Sequence, residues 1–502
     1  MLQRTYPMAC VAFTATLAVS PQAAAFDLDS AQQWMVYNIG ELRIKPQLEL
    51  NTEFTDNVYY AGLKPFDYVA HPLLSQGQIG GNTVVFVPVG FTDINGTTVQ
   101  AGSIYTGPLV NNGGASGIAA TNYVVYHQPV SPRNSELISS ASPGIKFQYG
   151  DEVLNNISLS YAATLSKYLV SGLEPSPQHL IHLLSKFEYS RLRLDVDAGA
   201  QFVSSFLGGG QNFGGQQVLI DRWSENSRAR LTYQTTTRID TYGEFQHSLT
   251  SYDTPIALYG TAEWSGNAGA EYQFSQDWKL FTEAHYGQTT VEPSTPELPT
   301  SPHSIFYGGY VGARGTFSPR ITGSVKAGYE LREYPSIADS AVGAPAFEFD
   351  VNYALGPSTQ LGLNYSRKTS ASSQVANQSF VYDSVKFTAN QGLDGAGFWW
   401  ALFSAKYIHD EFNSTPGFGS FYVPNGPGGY LLLQQGTVDY GRTDDQIIMS
   451  IGVQYVPRPW LRASLTYEYE TYTPTFSDSR LQGITLPEYD NHRVILSLNL
   501  GY

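Results

Sequence analysis

The sequence predicts an all-β fold: a transmembrane antiparallel up-and-down β-barrel of about eighteen strands, within a range of about sixteen to twenty. The first observation is that segments of about ten residues, in which apolar and polar side chains alternate, recur from Glu41 to the last residue. The second is that short and long connections take turns along the chain. The third is composition, because 14% of the residues are charged, against about 25% in a soluble domain. A surface so poor in charge is typical of contact with lipid.

The alternation is clearest in the last segment, 493–502. Its even-numbered residues are apolar or aromatic, and its odd-numbered residues are polar or glycine, with Ile495 as the exception. Segments 192–202, 321–332 and 461–470 repeat the pattern. One face of each strand therefore suits lipid and the other suits water. A soluble β-sandwich alternates as well, so the distribution of the turns is what favours a membrane barrel.

Turn residues mark two kinds of connection between the strands. Short turns are expected at 150–152, 189–191, 235–238, 275–277, 318–320, 356–358, 391–397 and 456–459. Longer polar or Pro/Gly-rich loops are expected at 164–178, 204–221, 291–303, 333–344, 411–441 and 474–489. In membrane barrels the short turns are periplasmic, so both termini are expected on that side. The sheet must close, because within hydrocarbon every backbone N–H and C=O group needs a partner in the protein.

The N-terminal residues 1–25 have the pattern of a secretory signal peptide. Arg4 is followed by an apolar stretch, 8–19, and the small-residue triplet 23–25 supplies a cleavage site. The only cysteine, Cys10, lies inside this segment, so the exported chain is expected to have no disulfide and no cysteine-based metal or redox site. These features predict export to the outer membrane of a Gram-negative bacterial cell.

Two regions are expected after the signal peptide: a short periplasmic segment, 26–40, and the transmembrane barrel, 41–502. Within the first of them, Ser30 is followed three residues later by Gln33, which matches a helix N-cap box. A short periplasmic helix is therefore compatible with the residues before the first strand.

One stretch departs from the alternation, and it predicts a long extracellular or pore-mouth loop at about 61–141. Its central part, 75–128, contains no Lys or Arg and a single acid, Asp93. We interpret it as a loop that forms its own hairpin or folds into the pore mouth. An added pair of membrane strands is the alternative.

Common catalytic motifs are missing from the sequence. It contains no G-x-S-x-G elbow, no H-E-x-x-H pair, no G-x-x-x-x-G-K-[ST] loop and no cysteine cluster. The glycines at 208–210 and 214–215 are not followed by a helix, which favours a flexible loop over a phosphate site. His179 and His182 are three residues apart in a strand, so they face opposite ways and cannot easily share a metal. We therefore expect no enzyme, no catalytic or cofactor-binding residue, no metal site and no cofactor.

Charged residues of both signs recur on the polar faces of the predicted strands. In a wide barrel they would line the pore and select polar solutes through a transverse field, whereas in a plugged barrel they would pair across the wall. Asp195 and Asp197 share a face with Arg191 and Arg193, so charge compensation is favoured over a cation site or an acid pair. The candidate pore-lining residues are Arg43, Lys45, Glu49, Arg193, Asp195, Asp197, Arg228, Arg230, Glu271, Lys279, Glu283, Arg314, Lys326, Glu330, Glu468 and Glu470.

A short motif follows the first predicted strand. After Pro-Gln-Leu-Glu-Leu at 46–50, the chain reads Phe-Thr-Asp-Asn-Val-Tyr at 54–59. This resembles an outer-membrane β-barrel porin family that carries a T-D-N-V-[YF] motif just after its first strand and is often found near exopolysaccharide-synthesis genes. The resemblance extends loosely over the mature chain through strand count and Tyr-rich alternation, and it implies a barrel without naming a substrate. Asp56 and Asn57 are also typical turn residues, so a loop start explains them equally.

The expected function is a passive channel for small polar solutes, or a conduit linked to polysaccharide export, that needs no cofactor. One alternative is a closed structural or adhesion barrel that acts through its extracellular loops. A second is a barrel-embedded hydrolase, which needs a Ser or Thr and a His converging at one rim. No such pair is recognisable from the spacing.

The expected partners are outer-membrane lipid and lipopolysaccharide. The C-terminal strand 493–502 also resembles the signal read by the outer-membrane assembly machinery, with Tyr502 where Phe is usual. The formal net charge of −15 argues against nucleic acid. No motif decides between a monomer and a trimer.

Overall fold

The chain forms a closed antiparallel β-barrel of eighteen strands, which confirms the predicted fold class. In this computed structural model, the described residues are 36–58, 134–151, 155–206, 219–253, 260–292, 303–335, 341–371, 379–412, 441–476 and 488–501, with the backbone of short strands inside 66–128 and 416–439. No helix occurs among these residues, so none of them forms an apolar helix that could cross a membrane.

Each barrel strand pairs with the next one along the chain, so the topology is a simple meander. The strands are 12 to 17 residues long, against the roughly 9–11 residues that a tilted strand needs to cross the hydrocarbon. In chain order they are β1 (Leu42–Thr55), β2 (Glu136–Gly150), β3 (Asn156–Tyr168), β4 (Gln178–Tyr189), β5 (Leu192–Ser205), β6 (Ile220–Gln234), β7 (Ile239–Tyr252), β8 (Gly260–Gln273), β9 (Trp278–Glu292), β10 (His303–Ser318), β11 (Ile321–Glu333), β12 (Val342–Gly356), β13 (Thr359–Ala371), β14 (Ser379–Gly392), β15 (Trp399–Phe412), β16 (Arg442–Arg458), β17 (Leu461–Phe476) and β18 (Tyr489–Gly501).

The barrel closes between its first and last strands. Residues 47–55 of β1 pair antiparallel with residues 493–501 of β18, and the other edge of β1 pairs with β2. The short segment Tyr37–Ile39 pairs with residues 42–44 of β1 and continues the ladder past the end of β18. Each described barrel strand therefore has a neighbour on both edges, as a sheet in hydrocarbon requires. The helix compatible with Ser30 and Gln33 falls outside the described residues.

The connections divide into two groups, as predicted. All eight short turns are found at one end of the barrel, here called the short-turn end, and the six longer loops leave the opposite, long-loop end. Two further long connections, 253–259 and 372–378, were not predicted. At the short-turn end Ser190 adopts a left-handed φ of 57°, and Gly150 has a φ of 89°. Glycine suits position 150 because a Cβ there would lie 2.2 Å from the carbonyl oxygen of Asn155.

The predicted bounds of the longest loop need a correction. Strand β2 begins at Glu136, so residues 136–141, which we assigned to the loop at about 61–141, pair with 50–55 of β1 instead. The alternation is weak there because Ser139 and Ala141 occupy the outer face, where large apolar residues are usual.

Within this loop the backbone forms small sheets of its own. Phe66–Ala70 pairs with Asn122–Gln128, and Gln76–Ile79 pairs with Asn82–Phe86. None of the described strands of the loop joins the barrel sheet. The described backbone therefore fits a segment with its own hairpin, and added membrane strands are excluded for the part of the loop that is described.

The outer face of the barrel is apolar along its length. Large side chains on the middle of the strands, such as Leu165, are exposed there. Two outer-face aromatic pairs lie at the short-turn end. The ring centroids of Trp278 and Phe317 are 4.2 Å apart, and those of Trp399 and Tyr455 are 4.5 Å apart. Such an apolar band with an aromatic girdle is the exterior expected of a barrel surrounded by lipid.

Candidate channel lumen

Hydrogen bonds that skip a strand identify the concave face of the wall. Arg230 Nη2 on β6 donates to Glu271 Oε1 on β8 at 2.6 Å, and the Tyr242 hydroxyl on β7 donates to Glu283 Oε2 on β9 at 2.7 Å. Adjacent strands lie about 4.8 Å apart, so side chains reach past an intervening strand where the wall curves toward them. The strand registers place all sixteen candidate residues on this inner face.

The inner face of β4–β10 encloses a charged recess of about 580 Å³ near the short-turn end. Arg228 Nη2 lies 2.6 Å from Glu244 Oε2, and Lys279 Nζ lies 3.0 Å from Asp240 Oδ2. These contacts join neighbouring or next-neighbouring strands, so the ion pairs follow the ladder. The other charged residues that line the recess are Lys186, Glu188, Arg191, Arg193, Asp195, Asp197, Arg230, Glu271 and Arg314.

Exposure differs between the two partners of these ion pairs. The side chains of Glu244 and Glu271 are each 4% exposed, whereas their partners Arg228 and Arg314 are 53% and 42% exposed. The carboxylates therefore lie behind the guanidinium groups, which hold N–H donors toward the open space. Glu244, which the sequence analysis did not single out, organises the wall: it also accepts a hydrogen bond from Gln246.

Asp195 has the expected arginine partner, whereas the hydrogen-bond partner of Asp197 is a histidine. Arg193 Nε lies 2.8 Å from Asp195 Oδ2. Asp197 Oδ1 lies 2.7 Å from His182 Nε2, while Arg191 lies in the turn between β4 and β5. Asp197 therefore contacts a residue of the neighbouring strand and not Arg191, because cross-strand neighbours are closer than residues six positions along one strand.

The two histidines of β4 point to opposite faces, as predicted. His182 faces the recess, whereas His179 lies on the outer face with its Nδ1 2.9 Å from the Tyr161 hydroxyl. In the described parts of the chain, no group of three or more His, Cys, Asp or Glu side chains is arranged to hold a metal ion.

Nearer the long-loop end, the inner face of β9–β11 holds a buried cluster around Glu330. The Glu330 carboxylate lies 3.2 Å from His285 Nε2 and accepts hydrogen bonds from the Tyr310 hydroxyl at 3.2 Å and the Thr369 backbone N–H at 3.1 Å. Arg332 donates to two neighbouring hydroxyl groups at 2.8 and 2.9 Å. Buried charges need such partners. Glu330 is therefore on the predicted face but packed into the wall, with little exposure to the open space.

The T-D-N-V segment lies at the closing seam, at the long-loop end. The Asp56 carboxylate accepts a hydrogen bond from the His492 backbone N–H at 2.8 Å, and the Asp56 N–H donates to the His492 carbonyl at 3.1 Å. Asn57 Nδ2 donates to the Asp490 carbonyl at 2.7 Å. The Thr55 hydroxyl donates to an asparagine side chain of β18 at 2.7 Å. These residues begin the long loop, as their turn chemistry predicts, and they also bind the first strand to the last.

The fourth residue of the motif fixes the start of the loop. Val58 is buried against Tyr168 and Phe206, and its N–H donates to the Asn134 carbonyl at 3.0 Å. Val58 therefore anchors the departing chain to the wall through apolar contact.

No protein-family model matches the sequence, and no curated protein matches it. Among solved structures, the outer membrane protein OpdK from Pseudomonas aeruginosa is similar with a TM-score of 0.39 and 9% identity, over 91% of this chain and 99% of that chain. OpdO from the same organism has a TM-score of 0.39 and 10% identity, over 91% and 97%. A mutant of the ferric enterobactin receptor PfeA, also from Pseudomonas aeruginosa, has 0.38 and 8%, over 73% and 78%. With TM-scores below 0.5, the description of the lumen depends on this chain's own strand ladder.

Proposed function

We propose that the chain is a passive outer-membrane channel for small polar solutes. The observation that carries the proposal is a closed eighteen-strand wall with an apolar outer face and an inner face that presents charged groups around an open recess of about 580 Å³. A hydrated path lined by fixed charges moves polar solutes down their gradient without a cofactor. The sixteen candidate residues are proposed to line or support that path.

The proposed orientation follows from the two ends of the barrel. Short turns face the periplasm in bacterial barrels and long loops face outward, so the recess lies near the periplasmic end and the T-D-N-V seam lies outside. Lipid and lipopolysaccharide contact the apolar band. The strand β18, with Val494, Leu496 and Leu498 on its outer face, is the proposed signal for the assembly machinery.

The test is conductance in planar lipid bilayers with the refolded full chain and with a variant that lacks residues 75–128. A matched control lacks 416–439, which forms a separate hairpin. We expect a stable conductance from the full chain that rises in proportion to salt. Conductance that appears only without 75–128 means that this segment closes the lumen. Silence in all three proteins contradicts the channel and favours a structural or adhesion barrel.

The T-D-N-V resemblance supports a finer proposal, in which the solute is a secreted polysaccharide or its fragment. Block of the current by neutral oligosaccharides that increases with their chain length supports this idea. A current that no oligosaccharide of the series blocks contradicts it. A barrel-embedded hydrolase has less support. In the described part of the chain, no Ser or Thr hydroxyl lies within hydrogen-bonding distance of a histidine ring nitrogen.

A further inference from the structure

Two lysines stand directly opposite each other on the inner face, away from the recess. Lys386 of β14 pairs in register with Lys406 of β15. Directly opposed residues of an antiparallel pair have Cβ atoms about 4.5–5.5 Å apart, and like charges in that position destabilise a sheet. The next residues toward each end on this face of β14, Ser384 and Thr388, are neutral.

No described carboxylate forms a salt bridge with the pair, although Asp410, on the same face of β15, is coupled electrostatically to Lys406. None lies within 4.0 Å of the ammonium nitrogen of Lys386 or Lys406. On the flanking strands β13 and β16, the residues in register with the two lysines are Asn364 and Ile448. One strand further away on each side, β12 carries Asp350 and β17 carries Glu470 at the same register position. Asp350 accepts a hydrogen bond from Asn352, and Glu470 lies 3.2 Å from an arginine. This wall therefore differs from the recess, where the exposed cations Arg228 and Arg314 each have a buried acid as partner.

The lysine pair faces the recess across the barrel. In a closed barrel of eighteen strands, strands nine positions apart lie on opposite sides, which sets β14 and β15 against β5 and β6. Lys386 and Arg228 each lie six residues from the short-turn end of their strands. Arg228 and the lysine pair thus lie on opposite walls, at similar distances along their strands from the short-turn end.

We propose that this level of the lumen is an oxyanion site, in which Lys386 and Lys406 together bind a carboxylate or phosphate group of the passing solute. One oxyanion can accept a charge-assisted hydrogen bond from both ammonium groups and relieve their repulsion. On the opposite wall the exposed guanidinium group of Arg228 adds donors beside its in-register neighbour Asp197, whose carboxylate is also exposed. The inference rests on the channel function and narrows its substrates to anionic solutes.

The first experiment measures the reversal potential of the refolded full chain in planar bilayers under a KCl gradient, and the block of the KCl current by inorganic phosphate. We expect chloride to carry most of the current. In the double variant Lys386→Gln/Lys406→Gln we expect the half-blocking phosphate concentration to rise about tenfold, because two charge-assisted hydrogen bonds are replaced by weaker neutral ones. The matched control is Lys368→Gln, an inner-face lysine of β13 whose ammonium lies 5.9 Å from the Tyr382 ring centroid. That control should change the half-blocking phosphate concentration less than twofold, which corresponds to about 0.4 kcal/mol.

The outcomes separate the site from the channel. A cation-selective current, or phosphate block that is equal in wild type and in the double variant, overturns the oxyanion site and leaves the channel intact. Absence of current in every variant overturns the channel instead. Calorimetric titration of the micelle-solubilised full chain with inorganic phosphate then decides the site by itself: heat that is lost in Lys386→Gln/Lys406→Gln supports it, and no difference from wild type rejects it.

Discussion

Replacing Asn57 by alanine tests whether the T-D-N-V segment holds the barrel closed. Asn57 is fully buried, and its Nδ2 donates to the Asp490 carbonyl at 2.7 Å. The partners are 433 residues apart in sequence, so this contact joins the two ends of the barrel. Alanine removes a hydrogen bond that a fully buried side chain donates to a part-buried carbonyl, which costs about 1–3 kcal/mol. Asn57→Ala should therefore lower the free energy of unfolding by that amount while the barrel still forms.

The assay is urea unfolding and refolding in lipid vesicles, followed by tryptophan fluorescence. A matched control is Asn352→Ala, because Asn352 Nδ2 also donates a hydrogen bond, to Asp350 Oδ1 at 2.8 Å, but at an exposed position within one strand. The control should change the free energy of unfolding by no more than about 0.5 kcal/mol. If Asn57→Ala and Asn352→Ala are equally stable, the seam does not depend on Asn57 and the reasoning is refuted.

Three further substitutions probe the wall. Glu271→Gln removes the buried charge that three basic side chains share and should cost about 3 kcal/mol in urea unfolding; an unchanged midpoint would show that these pairs contribute nothing. Gly150→Ala, at φ 89°, should destabilise by at least about 1 kcal/mol, whereas Gly395→Ala, with open space around it, should not. Val311→Arg on the outer face should lower stability in vesicles by about 2–4 kcal/mol, and inner-face Ser404→Arg far less; equal losses would contradict the assignment of faces.

Most of the fold could be predicted because period-two alternation is local. Whether a side chain faces lipid or lumen follows from its odd or even position within the strand. The eight predicted short turns gave the number of hairpins. The two failures have the same cause. Around 136–141 the outer face carries Ser139 and Ala141, so the contrast between faces is too weak to mark a strand. The connection at 253–259 was missed because it is mostly apolar, and the one at 372–378 because the strand end before it, 366–370, is equally polar.

The site could be predicted only in part. Alternation alone placed Arg228 and Glu271 on the inner face. It gave no information on the register between strands, which decides the side chains that lie opposite each other. Glu244 and the pair Lys386 and Lys406 carry the same inner-face signal in the sequence, yet their importance depends on register. A search for lysines at equal distances from a shared short turn could have found the pair, since Lys386 and Lys406 lie at comparable distances before and after the turn at 393–398.

The sequence by itself determined the class of protein, the number of strands and the division into two faces, because these depend on residue type and spacing within single strands. The tertiary structure decided which charges pair, which carboxylates are buried behind guanidinium groups, and that Thr55–Val58 close the seam with β18. Those contacts join residues as far as 436 positions apart, and their geometry arises only when the sheet closes. Closure sets the register and the curvature together, and from them follows what the lumen presents to a solute.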